Sequence, residues 1–135
     1  WGWNGLGKAG WRGAGIPCHT LEHPLSGVYN LPHGAGLSIT IPAYLTYRRE
    51  ALEHRLQQFG RVGLGMQGAA DGAAVIEALK DWYRSIAVPV SFGDWRAVET
   101  FDIELLVDQA MRLDALWQSS AMGESDFRAV YELMR

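Results

Sequence analysis

Apolar residues recur at helical intervals over most of the chain. Leu52, Leu56 and Phe59 fall at i, i+4 and i+7, and their segment ends in Gly60, Gly63 and Gly65. A second stripe, Val75, Leu79, Trp82 and Ile86, follows Asp71, whose carboxylate suits a helix N-cap, and stops before Pro89. Ile103, Leu106, Val107 and Ala110 mark another helix. Phe127, Val130, Tyr131 and Met134 mark a last one, with Ser125 as its expected cap. These stripes read as core-facing sides of helices and are assigned no cofactor role.

The first half is less regular. Pro17 suits a first helical turn, where its missing N–H costs nothing. Pro24 then falls inside that helix, removing one backbone bond and predicting a kink just after His23. Residues 37–47 fit two patterns. Leu37, Ile39 and Ile41 alternate as in a strand, whereas Leu37, Ile41, Tyr44 and Leu45 keep helical spacing. Residues 1–16 carry six glycines and three tryptophans (Trp1, Trp3, Trp11), too many glycines for a stable isolated helix. We expect there the torn end of an element whose packing partners lie elsewhere. The whole pattern predicts one all-α bundle over residues 1–135, without repeats or linkers.

Composition narrows the class. A chain of 135 residues, 48% hydrophobic and 20% charged, reads as one soluble globular domain. No apolar run approaches the roughly 18 residues of a membrane span. A net charge of −3 gives no reason to expect nucleic acid. Cys18 is the only cysteine, so no internal disulfide forms, which suits a reducing cytoplasm. The chain opens Trp1-Gly2-Trp3-Asn4, with no Met and no signal-peptide pattern, and is therefore expected to be a piece of a longer protein.

Candidate chemistry is concentrated between Cys18 and Gly34. Three of the four histidines, His19, His23 and His33, fall there with spacing H-x3-H-x9-H, interleaved with Pro and Gly. Imidazole is a common neutral metal ligand and titrates near physiological pH. On a helix His19 and His23 share a face one turn apart, the geometry by which two side chains meet one ion or one substrate. His33 leaves a turn at the mouth of the next element and can swing back towards them. Glu22 projects away from the face of His19 and His23 and is not counted as a ligand. His54 sits among Arg49, Glu50, Glu53 and Arg55 and reads as solvated surface; Cys18 reads as structural.

The stretch His19-Thr20-Leu21-Glu22-His23-Pro24-Leu25-Ser26-Gly27-Val28-Tyr29-Asn30-Leu31-Pro32-His33-Gly34-Ala35-Gly36 resembles the signature of iron-containing alcohol dehydrogenases. The resemblance is closest to their butanol-dehydrogenase and aldehyde-reductase branch. Weaker similarities extend to Asn4-Gly5-Leu6, Ile86-Ala87-Val88-Pro89 and Val130-Tyr131-Glu132, so nearly the whole chain is similar to the family's C-terminal helical part, shared with the dehydroquinate synthase-like fold. The resemblance implies that His19 and His33 bind a divalent metal, Fe2+ or Zn2+. It places His23 near the nicotinamide of NAD(P)H and the substrate, handling a proton. The implied reaction interconverts primary alcohols and aldehydes by hydride transfer.

Two departures limit what the chain can do alone. The family completes its metal site with an Asp and a His about four residues apart on an earlier helix, and no Asp-x3-His occurs in this sequence. The nucleotide-binding half is missing too, and Gly60-x2-Gly63-x-Gly65 does not replace it, because it follows a helix rather than a strand. Two imidazoles alone bind weakly, so the isolated chain is expected to be inactive until the N-terminal half is supplied. A homo-oligomer is possible. One rival reading is a dehydroquinate synthase or glycerol dehydrogenase relative, whose second ligand His is usually followed by Gly-Glu; here His33 is followed by Gly34-Ala35-Gly36. The other is a helical interaction module with a structural or adventitious histidine metal site.

Overall fold

The computed structural model describes residues 17–68, 70–95, 98–117 and 122–135. The glycine- and tryptophan-rich residues 1–16 lie outside the described residues, as does the similarity at Asn4-Gly5-Leu6. Every described regular element is helical: α1 (Pro17–Tyr29), α2 (His33–Tyr47), α3 (Arg49–Val62), α4 (Gly72–Ser85), a 3-10 turn (Phe92–Asp94), α5 (Ile103–Trp117) and α6 (Glu124–Glu132).

α1 runs through Pro24, which cannot donate to the carbonyl one turn back. The fully buried Tyr131 hydroxyl of α6 reaches the next carbonyl along, donating to Leu21 at 2.8 Å. Burial holds the Tyr131 phenol well above its usual range. α1 ends at Asn30, whose φ of 53° is left-handed, a conformation that Asn tolerates better than most residues. That single turn brings His33 to the start of α2.

Residues 37–47 resolve as helix, with Pro42 inside it. The strand-like alternation misleads because α2 is enclosed on several sides: Gly36, Ser38, Ile39, Thr40, Pro42 and Ala43 are all buried. Its buried hydroxyls turn back onto carbonyls, Thr40 onto Gly36 at 2.7 Å and Ser38 onto Ala35 at 2.9 Å and Pro89 at 2.6 Å. A buried polar group with such a partner avoids most of its desolvation cost.

The main core gathers Leu21 and Leu25 of α1, Ile39 and Ala43 of α2, Leu106, Val107 and Ala110 of α5, and Phe127, Val130 and Tyr131 of α6. A smaller cluster, Leu56, Val75 and Ile76, joins α3 to α4, with Leu45 and Leu52 against it. The stripe of α4 is buried only at its start. Val75 and Leu79 are inside, while Trp82 and Ile86 remain 51% and 52% exposed. Phe59 of α3 is also exposed, though less so, at 40%.

Asp71 caps α4 as expected, accepting from the Ala74 N–H at 2.8 Å. Asp71→Ala is expected to remove about 1 kcal/mol of stability. A thermal melt should read this as a fall of about 3–5 °C. Ser125, by contrast, does not cap α6. The N-cap is Gly123, and the Asp126 carboxylate reaches back to the Gly123 N–H at 2.7 Å. Asp126 also accepts from the Tyr47 hydroxyl, tying the end of α2 to the start of α6. That hydrogen bond is the main cause of a lowered Asp126 pKa and a raised Tyr47 pKa.

Candidate metal centre

α1 and α2 pack against each other across the turn at Asn30, and the three motif histidines meet between α1 and the start of α2. His19 and His23 lie one turn apart on α1, with ring centroids 6.2 Å apart. His33, the first residue of α2, places its ring 5.3 Å from that of His19 and 5.5 Å from that of His23. Residues separated by up to fourteen positions thus form a compact triangle of imidazoles. His54 lies on an exposed position of α3, away from this group.

The donor chemistry suits a divalent transition metal. Two imidazoles bound to one ion at about 2.1 Å and a roughly tetrahedral angle have ring centroids about 5 Å apart. The His19–His33 separation of 5.3 Å matches that spacing. The triangle is nevertheless not a finished cage. Among the described residues, no group of three or more His, Cys, Asp or Glu side chains is placed to hold an ion. The spacing of His19 and His33 fits two ligands of one ion, short of a complete set among the described residues.

The local electrostatics favour the ligating form of His19. Its pKa is lowered first by desolvation and then by the neighbouring His33 and His23, with Glu22 opposing. The unprotonated ring is the one with a lone pair to give to a metal.

Glu22 occupies a place that a single helical wheel does not reveal. It lies on the flank of α1 that meets α2, fully buried, with its Oε2 in hydrogen-bond contact with Nδ1 of His33. Its Oε1 lies 2.5 Å from the Ser26 hydroxyl, which also reaches the Leu31 carbonyl at 2.9 Å, so one hydroxyl proton serves both acceptors. Gly36 makes the room. A Cβ there would come within 2.5 Å of Glu22 Oε1 and 2.6 Å of its Cγ. The signal in the sequence was a Glu flanked by Leu21 and Leu25, with Ser26 one turn on and small residues after His33.

Cys18 takes no part in the triangle. Burial pushes its thiol up to about 12, so the nucleophilic thiolate is scarce at neutral pH. In native protein at pH 8, an aromatic disulfide reagent is expected to label Cys18 slowly. Adding denaturant should release one fast-reacting thiol; rapid labelling of the native form would contradict the burial.

The described elements are all helical and gather three imidazoles from one helix and the start of the next, an arrangement that points to a family of helical domains. The comparisons with known proteins specify which. Residues 10–132 match the model of the Fe-containing alcohol dehydrogenase family, C-terminal. The chain belongs to the iron-containing alcohol dehydrogenases, a family of oxidoreductases, and corresponds to their C-terminal region.

Relatives agree with this assignment. An NADP-dependent alcohol dehydrogenase 3 of Entamoeba histolytica is 32% identical over 77 residues, covering 57% of this chain and 20% of the relative. An NADPH-dependent aldehyde reductase of Escherichia coli is 30% identical over 90 residues, covering 62% of this chain and 23% of that protein. The crystal structure of an NADH-dependent butanol dehydrogenase A from Thermotoga maritima superposes with a TM-score of 0.79 at 29% identity, over 91% of this chain and 33% of that one. The chain thus spans only a fifth to a third of the length of such relatives.

Proposed function

We propose that residues 1–135 are the single helical metal-binding domain of an NAD(P)-dependent, metal-dependent alcohol dehydrogenase that interconverts primary alcohols and aldehydes. The observation that carries this reading is the triangle of His19, His23 and His33, with rings 5.3–6.2 Å apart, within a chain of this family. The named activities of the relatives, on butanol and on aldehydes with NADH or NADPH, support the substrate class and the nicotinamide.

In this reading His19 and His33 hold Fe2+ or Zn2+, and His23 stands beside the reacting groups. The ion supplies Lewis acidity towards the alcohol or carbonyl oxygen when bound. His19 and His33 would hold the ion, with the third imidazole 5.5–6.2 Å from their rings. His23, next to both, would take or return the hydroxyl proton, and a bound nicotinamide would supply the hydride chemistry. Packing of α1 on α2 sets the distance between the backbones that carry the three rings.

The nucleotide site and the other metal ligands belong to a separate N-terminal half, so the chain alone is inactive. The enzyme is cytoplasmic and acts on small alcohols or aldehydes, with homo-oligomers possible. No described helix is long and apolar enough to cross a membrane. Reconstitution tests the proposal: this chain is mixed with an N-terminal half from a relative and supplied with Zn2+ or Fe2+, NADPH or NADH, and butanal. Metal-dependent loss of nicotinamide absorbance is expected, and neither half alone should show it. No activity with any metal and nucleotide pairing would sink the reading.

A further inference from the structure

Among the described residues Glu22 is the one charged side chain that is fully buried. A carboxylate in such a place costs several kcal/mol unless hydrogen bonds compensate, and hydrophobic packing of the same volume is often as stable. Stability therefore gives little reason for a Glu here, between Leu21 and Leu25 in the main core. Its contacts give a better one. One oxygen is held by Ser26, one turn along the same helix, and the other faces His33 Nδ1 across the helix pair. Gly36 leaves the cleft that admits it.

We infer that Glu22 is a positioning residue for His33: it accepts the Nδ1–H and so presents Nε2 to the metal. The inference rests on the reading of His33 as a ligand. A neutral imidazole carries one N–H, and an oxygen that only accepts hydrogen bonds selects the tautomer with that hydrogen on Nδ1. The lone pair then resides on Nε2. The need for such a brace is visible in the structure. His33 sits at the first position of α2 with its side chain 50% exposed, so packing alone does little to fix the ring. Ser26 fixes the carboxylate in turn. A ligand histidine braced through its second nitrogen in this way is better oriented and more basic, and losing the brace typically costs about 10–100-fold in metal affinity.

The test uses the full-length protein with Zn2+ as the probe. Zinc affinity is measured by chelator competition for wild type, Glu22→Gln, Glu22→Ala and His33→Ala, together with melting of each metal-free form. Long-range 1H–15N spectra of the wild-type imidazoles are recorded alongside. Glu22→Gln should weaken zinc by roughly tenfold and Glu22→Ala by up to about a hundredfold, beyond any change in the metal-free melting temperature. The wild-type spectra should show the His33 proton on Nδ1, a result that does not depend on any variant folding. Wild-type affinity in Glu22→Gln, or a His33 proton on Nε2, overturns the role of Glu22 alone. If His33→Ala keeps full zinc affinity, or the wild type binds none, the ligand reading of His33 fails and this inference falls with it.

Discussion

His33→Ala in the complete enzyme is expected to abolish metal-dependent turnover, with His19→Ala close behind. In the proposed reading each change removes one of two imidazoles that hold a shared ion, a task their ring spacing of 5.3 Å fits. Lewis-acid polarisation of the substrate oxygen is worth several kcal/mol, so its loss corresponds to a rate decrease of about a thousandfold or more. Elemental analysis should show less than stoichiometric iron or zinc in both variants. The fold should survive, because His33 is half exposed and His19 partly so. His23→Ala separates the roles. If His23 moves a proton rather than holding the ion, metal content stays near wild type while turnover falls by about 10²–10⁴-fold. Full metal and full activity in His33→Ala would remove the histidine triangle from the mechanism.

The largest loss of stability is expected from Phe127→Ala. Phe127 is fully buried in the cluster shared by α1, α2, α5 and α6, so its truncation leaves a cavity lined by several elements. Phe→Ala changes at such sites cost about 3–5 kcal/mol, a large share of the roughly 5–15 kcal/mol that holds a typical domain together. Urea unfolding should show a much lower midpoint. Tyr131→Phe is a useful contrast at a neighbouring site. It keeps the ring but removes the hydroxyl that reaches the Leu21 carbonyl, so about 1 kcal/mol should go. Equal losses in the two variants would mean that packing around Phe127 relaxes far more than its neighbours suggest.

Periodicity located most of the helices well. Asp71, Val75 and Leu79 start α4 as their pattern predicts, and Ile103 to Ala110 and Phe127 to Met134 enter the core on cue. The failures have physical causes. A helix enclosed on several sides has no polar stripe, so α2 reads as easily as a strand. A helical stripe can outrun the core it serves, as at Trp82 and Ile86. Ser125 has the chemistry of a cap, but Gly123 starts the helix and Asp126 satisfies its N–H. The motif histidines were legible by spacing, and their meeting follows from one tight turn. Glu22 was not, because its partner His33 arrives from another helix. A wheel drawn for α1 places Glu22 about 60° from His19 but says nothing of what faces it.

The left-handed turn at Asn30 has a bearing on the order in which this site comes together. All three imidazoles, and the carboxylate beside them, lie within fifteen consecutive residues, from His19 to His33. Closing so short a span costs little chain entropy, and contacts this local form early compared with those that join distant parts of a chain. The histidine cluster is therefore expected to assemble as a helical hairpin ahead of the docking of α6, whose Tyr131 closes over α1 from 110 residues away.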